Sequence, residues 1–114
     1  MTKDELISVL IIGRTECYVK KSSSHNPYVP GDKYDWDFEL AYGNYQFTDS
    51  YRGFNPYSGV EYIYIKDQTK QIWSCDYVGC AFSNAGVSEK EIYGFLKKGR
   101  SKHLTSCAGN LLSW

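Results

Sequence analysis

The stretch from Trp36 to Tyr51 constrains the fold most. Trp36, Phe38, Leu40 and Tyr42 alternate with Asp37, Glu39 and Ala41, a period of two that matches a half-buried strand. Gly43-Asn44 then supplies a two-residue turn, and a turn of that length fixes the register of the returning strand. With Tyr42 and Tyr45 flanking it, Leu40 faces Phe47, Phe38 faces Asp49 and Trp36 faces Tyr51. Asp49 is then the one polar member of an otherwise apolar face.

A second hairpin is expected from Gly59 to Lys66 and Gln71 to Val78, turning across Asp67-Gln68-Thr69-Lys70. Setting Asp67 opposite Lys70 pairs Tyr64 with Trp73, Tyr62 with Cys75 and Val60 with Tyr77. In that register Glu61 lies opposite Asp76. Ile63, Ile65, Ile72 and Ser74 fall on the other face, so both faces are apolar near the turn and each needs a cover.

Two segments read as helices. Thr2-Lys3-Asp4-Glu5 has the capping-box form, and Leu6, Val9 and Leu10 recur at helical spacing, predicting a helix from Lys3 to Ile12 closed by Gly13. Ser88-Glu89-Lys90-Glu91 repeats the pattern ahead of Ile92, Phe95 and Leu96, with an end near Gly99. The 100–114 tail is interrupted by Gly109-Asn110 and reads as packed but irregular. Between Thr15 and Asp35, turn formers such as Asn26-Pro27 and Pro30-Gly31-Asp32 predict a long surface loop carrying Tyr18, Tyr28 and Tyr34. The chain length suits one domain, and the expectation is a single α+β domain over residues 1–114: a four-stranded antiparallel meander sheet packed against an N-terminal and a C-terminal helix.

Composition excludes several functions. The 13 basic and 13 acidic residues cancel, so no long-range field draws the chain to nucleic acid or an anionic membrane. No apolar run approaches the ~20 residues of a membrane helix. Two acids precede the apolar stretch Leu6 to Ile12, which is unlike a secretory signal, so a cytoplasmic setting is expected with Cys17, Cys75, Cys80 and Cys107 as free thiols. Neither Cys75 and Cys80 nor His25 and His103 has the spacing of a metal site, and no metal or cofactor is expected. Phosphate-loop, dinucleotide, nucleophile-elbow and zinc-protease motifs are all missing.

There remains an aromatic content of 17%. Trp73, Tyr77, Tyr62, Tyr64 and Tyr57 could form an aromatic floor that stacks a planar ligand, although such a stripe is more often core beneath a helix. Arg52, at a strand end beside Gly53, could grip an anion or tie down its own loop, which also carries Asn55. Glu61 and Asp76, if opposed, would repel unless one held a proton or a cation intervened, which makes them acid/base or metal candidates; the alternative is that both splay into water or that one takes Arg52 as partner. The basic run Lys97, Lys98, Arg100 and Lys102 is accounted for by the negative end of a helix.

Tyr51-Arg52-Gly53-Phe54-Asn55-Pro56-Tyr57-Ser58-Gly59-Val60-Glu61, followed by Ile72-Trp73-Ser74-Cys75-Asp76-Tyr77-Val78-Gly79, resembles an uncharacterised bacterial domain family found alone or attached to helix-turn-helix regulators. The matching positions are Arg52, Gly53, Gly59, Glu61, Trp73, Tyr77 and Gly79, and the likeness runs from about Trp36 to Lys98. It implies an α+β sensing domain of bacterial or phage origin and carries no activity with it.

The expected function is a non-enzymatic binding module for a nucleotide-like or other planar anionic small molecule, of sensor or sequestering type. Its expected site is Arg52, Asn55, Tyr57, Glu61, Trp73, Asp76 and Tyr77, with the Trp73 indole lining a cavity beside Arg52. The alternative is a protein-protein interaction module, such as a phage or plasmid inhibitor of a host protein; third is a small enzyme using Glu61 and Asp76.

Overall fold

The computed structural model describes residues 2–82 and 88–113; the side chains of residue 89 and of residues 104–113 lie outside that description. The small-residue link at 83–87, Cys107 and the apolar side chains of the tail therefore fall outside the described residues. Helix α1 spans Lys3–Arg14 and runs into a π-helical turn at Thr15–Val19. Strands β1 (Val29–Pro30), β2 (Trp36–Tyr42), β3 (Tyr45–Gly53), β4 (Tyr57–Ile65) and β5 (Gln71–Gly79) come next, and helix α2 covers Glu89–Ser113. The strands form one antiparallel meander in the order β1-β2-β3-β4-β5. The sheet thus has five strands rather than four, because Val29 and Pro30 of the expected loop pair with Asp37 and Trp36.

The first hairpin has the expected register, with Leu40 opposite Phe47, Phe38 opposite Asp49 and Trp36 opposite Tyr51. Gly43 takes φ 58°, which the short turn demands. The second hairpin is displaced by one residue from the expectation. Ile63 pairs with Trp73, Glu61 with Cys75 and Gly59 with Tyr77, with a bulge between Ile63 and Tyr64. A bulge adds a residue to one strand, and one residue moves every later side chain to the opposite face.

Four rungs consequently cross one face. Leu40, Phe47, Ile63 and Trp73 make the first; Phe38, Asp49, Glu61 and Cys75 the second; Trp36, Tyr51, Gly59 and Tyr77 the third; Gly53, Tyr57 and Gly79 the last. Helix α1 lies over the first. Its capping box is formed, with Glu5 N donating to Thr2 Oγ1 at 3.1 Å, and Leu6, Val9, Leu10 and Cys17 belong to the core with Phe47 and Ile63. Gly13 does not end the helix. It sits inside α1 where a Cβ would stand 2.5 Å from the Phe47 ring, so its smallness serves close packing of helix on sheet.

The 15–35 segment is less of a loop than expected. Its start is helical, and Tyr28 is buried against Phe38 and Tyr51, with ring centroids 5.7 and 5.0 Å away, on the same face that α1 covers. Helix α2 passes Gly99 and the Gly109-Asn110 step without a break. Glycine in a helix costs about 1 kcal/mol relative to alanine, which weakens a helix without ending it. No described helix is long and apolar enough to cross a membrane.

Candidate functional site

Beyond the end of α1 the sheet face is roofed by the π-helical turn and α2, and a cavity of about 820 Å³ opens between them. Small-molecule sites commonly span about 300–1,000 Å³. Its floor is the second rung. Asp49 and Glu61 are direct cross-strand partners, 5% and 7% exposed, each held by a different kind of group. Arg14, the last residue of α1 and one turn after Leu10, grips Glu61 with both prongs: Nε donates to Oε2 at 2.9 Å and Nη2 to Oε1 at 2.7 Å. Bidentate, charge-assisted pairing of this kind offsets the cost of burying a carboxylate. It also raises the Arg14 pKa above its ordinary value.

Asp49 has no cation in direct contact among the described residues. Tyr28 donates its hydroxyl to Oδ2, and Tyr77 donates to Oδ1 at 2.6 Å. Burial raises the Asp49 pKa, the two phenols oppose that shift, and the neighbouring Glu61 charge adds to it. The Tyr28 and Tyr77 hydroxyls are themselves raised, first by burial. Cys17, on the π-helical turn, is pushed up to about 12 by burial and is no thiolate nucleophile.

The reach of Tyr77 to Asp49 depends on Gly59. Tyr77 on β5 and Asp49 on β3 are two strands apart, and the tyrosine crosses β4 at Gly59, where an added Cβ would strike the Tyr77 ring and hydroxyl. One rung on, Gly79 lets Tyr57 lean across β5 in the same way. The two rings lie 6.2 Å apart, and Tyr93 of α2 closes on Tyr57 at 5.7 Å, edge to face. These rings form the aromatic wall.

The rim is cationic. Lys90, Tyr93, Lys97 and Arg100 recur at helical spacing, so one face of α2 looks into the cavity. Lys97 donates to the Lys21 carbonyl, and Lys21 in turn donates to the Tyr51 hydroxyl at 2.7 Å. Arg100 stacks on Tyr18 at 4.8 Å. Since α2 continues to Ser113, the Lys97 to Lys102 run is not at a helix end, and the helix dipole does not account for it.

Of the expected site residues, Tyr57, Glu61 and Tyr77 line this cavity, whereas Arg52, Asn55, Trp73 and Asp76 do not. Arg52 points from the opposite face and stacks on Tyr34 at 4.5 Å, beside a smaller depression shared with Lys33 and Asp35. Asn55 is engaged structurally: Nδ2 donates to the Ala81 carbonyl at 2.9 Å, while Oδ1 accepts from the Ala81 amide at 2.7 Å and the Tyr93 hydroxyl at 3.1 Å. Trp73 packs on the core beside Ile63, a rung away from the carboxylates, so the expected indole wall beside Arg52 is not formed. Asp76 is exposed and pairs with Val60, on the opposite face from Glu61. The expected Glu61–Asp76 pair is overturned by the one-residue shift; the carboxylate beside Glu61 is Asp49. Among the described residues no cluster of three or more His, Cys, Asp or Glu side chains could hold a metal ion.

The family model of DUF5680, a domain of unknown function, matches residues 49–108. The chain belongs to DUF5680. The DUF5680 match begins at Asp49 and takes in Glu61, Tyr57, Tyr77 and the cavity-facing part of α2, while Arg14, Cys17, Lys21 and Tyr28 lie before it. Neither a curated protein nor a solved structure matches the chain.

Sequence reasoning missed Arg14, Tyr28 and Asp49 as site residues. Asp49 alone carried a signal, as the polar position on an apolar strand face. Arg14 and Tyr28 reach the site from far along the chain, so no local pattern marks them.

Proposed function

We propose that this chain is a non-enzymatic binding module whose cavity between the sheet and α2 takes a small planar anionic molecule. The carrying observation is the cavity itself, in which aromatic walls, a cationic rim and a polar floor converge. Aromatic rings stack a flat body with little loss of side-chain freedom, and lysine and arginine at the mouth favour a negative group. The expected anion site thereby moves from Arg52 to Lys21, Lys97 and Arg100, and the expected stacking residue Trp73 gives way to Tyr93.

A thermal-shift panel of aromatic anions, with native mass spectrometry for a co-purifying compound, tests the reading. Gly94 supplies the control: it lines the cavity, and a Cβ there would meet nothing within 4 Å, so Gly94→Trp should fill the space without disturbing the core. Binding by the parent chain, abolished in Gly94→Trp and changed by less than about 2-fold in Arg52→Ala, is the expected outcome for a surface residue remote from the site. No shift from any member of the panel would sink the proposal. It would favour the second reading, a protein-protein interaction module, which is supported by the exposure of Phe82, Phe95 and Val78 at 74%, 76% and 77%.

A further inference from the structure

The hydrogen-bonding capacity left over on the cavity floor narrows the ligand class, granted that the cavity binds a planar anion as proposed above. Each oxygen of Asp49 already accepts one phenolic O–H, from Tyr28 on one side and Tyr77 on the other. A carboxylate holding two such donors, one per oxygen, is in its ionised pattern, and each oxygen has a further lone pair. The phenolic oxygens, their protons committed to Asp49, can only accept. A ligand that reaches this rung must therefore bring a donor.

Next to it the capacity is of the opposite kind. Arg14 commits Nε–H and one N–H of Nη2 to Glu61, and a guanidinium has five N–H donors. The Nη1 edge takes no part in that pairing, and 39% of the side chain remains accessible. Because Asp49 and Glu61 are directly opposed on β3 and β4, the acceptor of one and the donor beside the other are neighbours. Lys21, Lys97 and Arg100 lie at the mouth, and the Tyr28 ring connects the two ends: Lys21 Nζ sits 5.1 Å from its centroid while its hydroxyl reaches Asp49.

We infer that the cavity selects an aromatic ring bearing an amino group next to a ring nitrogen acceptor, joined to an anionic tail: the class of an adenine or cytosine nucleoside monophosphate. The exocyclic amine donates to Asp49, the adjacent ring nitrogen accepts from Arg14, the ring lies among Tyr57, Tyr77 and Tyr93, and the phosphate meets the rim cations. Adenine and cytosine present this donor–acceptor edge. Hypoxanthine and uracil reverse that edge, with a carbonyl in place of the amine and a hydrogen on the adjacent ring nitrogen, so they can serve Asp49 and Arg14 only with the ring turned over, which carries the phosphate away from the rim cations.

Titration calorimetry of the full chain with AMP, IMP, CMP, UMP and inorganic phosphate tests this. AMP is expected to bind about 10-fold or more tighter than IMP, and CMP than UMP, the scale of one good base-edge pair. Asp49→Asn exchanges one acceptor for a donor and should shrink that ratio to below about 3-fold. Should this variant fold poorly, as judged by its urea transition, Tyr77→Phe serves instead: it removes one clamp on Asp49 and should lower AMP affinity while leaving phosphate unchanged. Equal affinity for AMP and IMP, or binding by neither, overturns the inference. If neither nucleotide binds but another aromatic anion does, the binding-module reading stands without it; if nothing binds, both fall.

Discussion

The first and second rungs of the sheet are neighbours on one face and are built on the same strands with the same backbone geometry. Phe47 and Ile63 in the first are fully buried and lie under α1. Asp49 and Glu61 in the second are nearly as buried but lie where α1 has ended and α2 stands off. In the first rung helix and sheet touch, Gly13 against the Phe47 ring, and apolar area is removed from water. In the second, close approach is replaced by long side chains reaching inward, and the space between them stays open. The same face thus holds a closed, packed half and an open, polar half, and the boundary falls between Phe47 and Asp49, two residues apart on one strand.

Three perturbations test that division, in falling order of expected effect. Phe47→Ala in the first rung should cost about 3–5 kcal/mol, read as a lowered urea midpoint, since a large ring is removed from a closed core. A cost near zero would mean that α1 does not rest on it. Arg14→Met in the second rung strands a buried Glu61 and should cost about 1–3 kcal/mol, below the figure for a fully buried pair because Arg14 is 39% exposed. The double variant Arg14→Met with Glu61→Met should recover most of that loss. Failure to recover would show that the arginine works by packing rather than by charge.

The smallest effect is a slope. Burial lifts the Asp49 carboxyl above its ordinary 3.8, so the folded chain holds that proton more tightly than the unfolded one. Its contribution to stability is then greatest below 3.8 and declines as pH rises through the raised folded value. Urea midpoints from below 3.8 toward neutrality should therefore fall less steeply in Asp49→Asn than in the parent chain. Identical profiles would place the charge of Asp49 in contact with water, and the comparison of the two rungs would lose its basis.

Local chemistry made part of this legible. The capping box at Thr2, the period of two from Trp36 to Tyr42 and the Gly43-Asn44 turn involve residues within a few positions of one another, and the first hairpin has the register they imply. The second hairpin was harder to read because its four-residue connection admits more than one register and the bulge near Tyr64 has no sequence mark. That single residue put Trp73 against the core and sent Asp76 to the outer face.

Residue order alone settles the four longer antiparallel strands, the starts of the two helices and the presence of a carboxylate on a strand face that ought to be apolar, because each arises from spacing along the chain. Which groups meet that carboxylate is a matter of packing in three dimensions. Arg14 meets Glu61 47 residues away, and Tyr28 and Tyr77 converge on Asp49 from opposite sides along the chain. Contacts over such separations depend on helix length, on a bulge and on two glycines small enough to be crossed, and none of those leaves a local period to read.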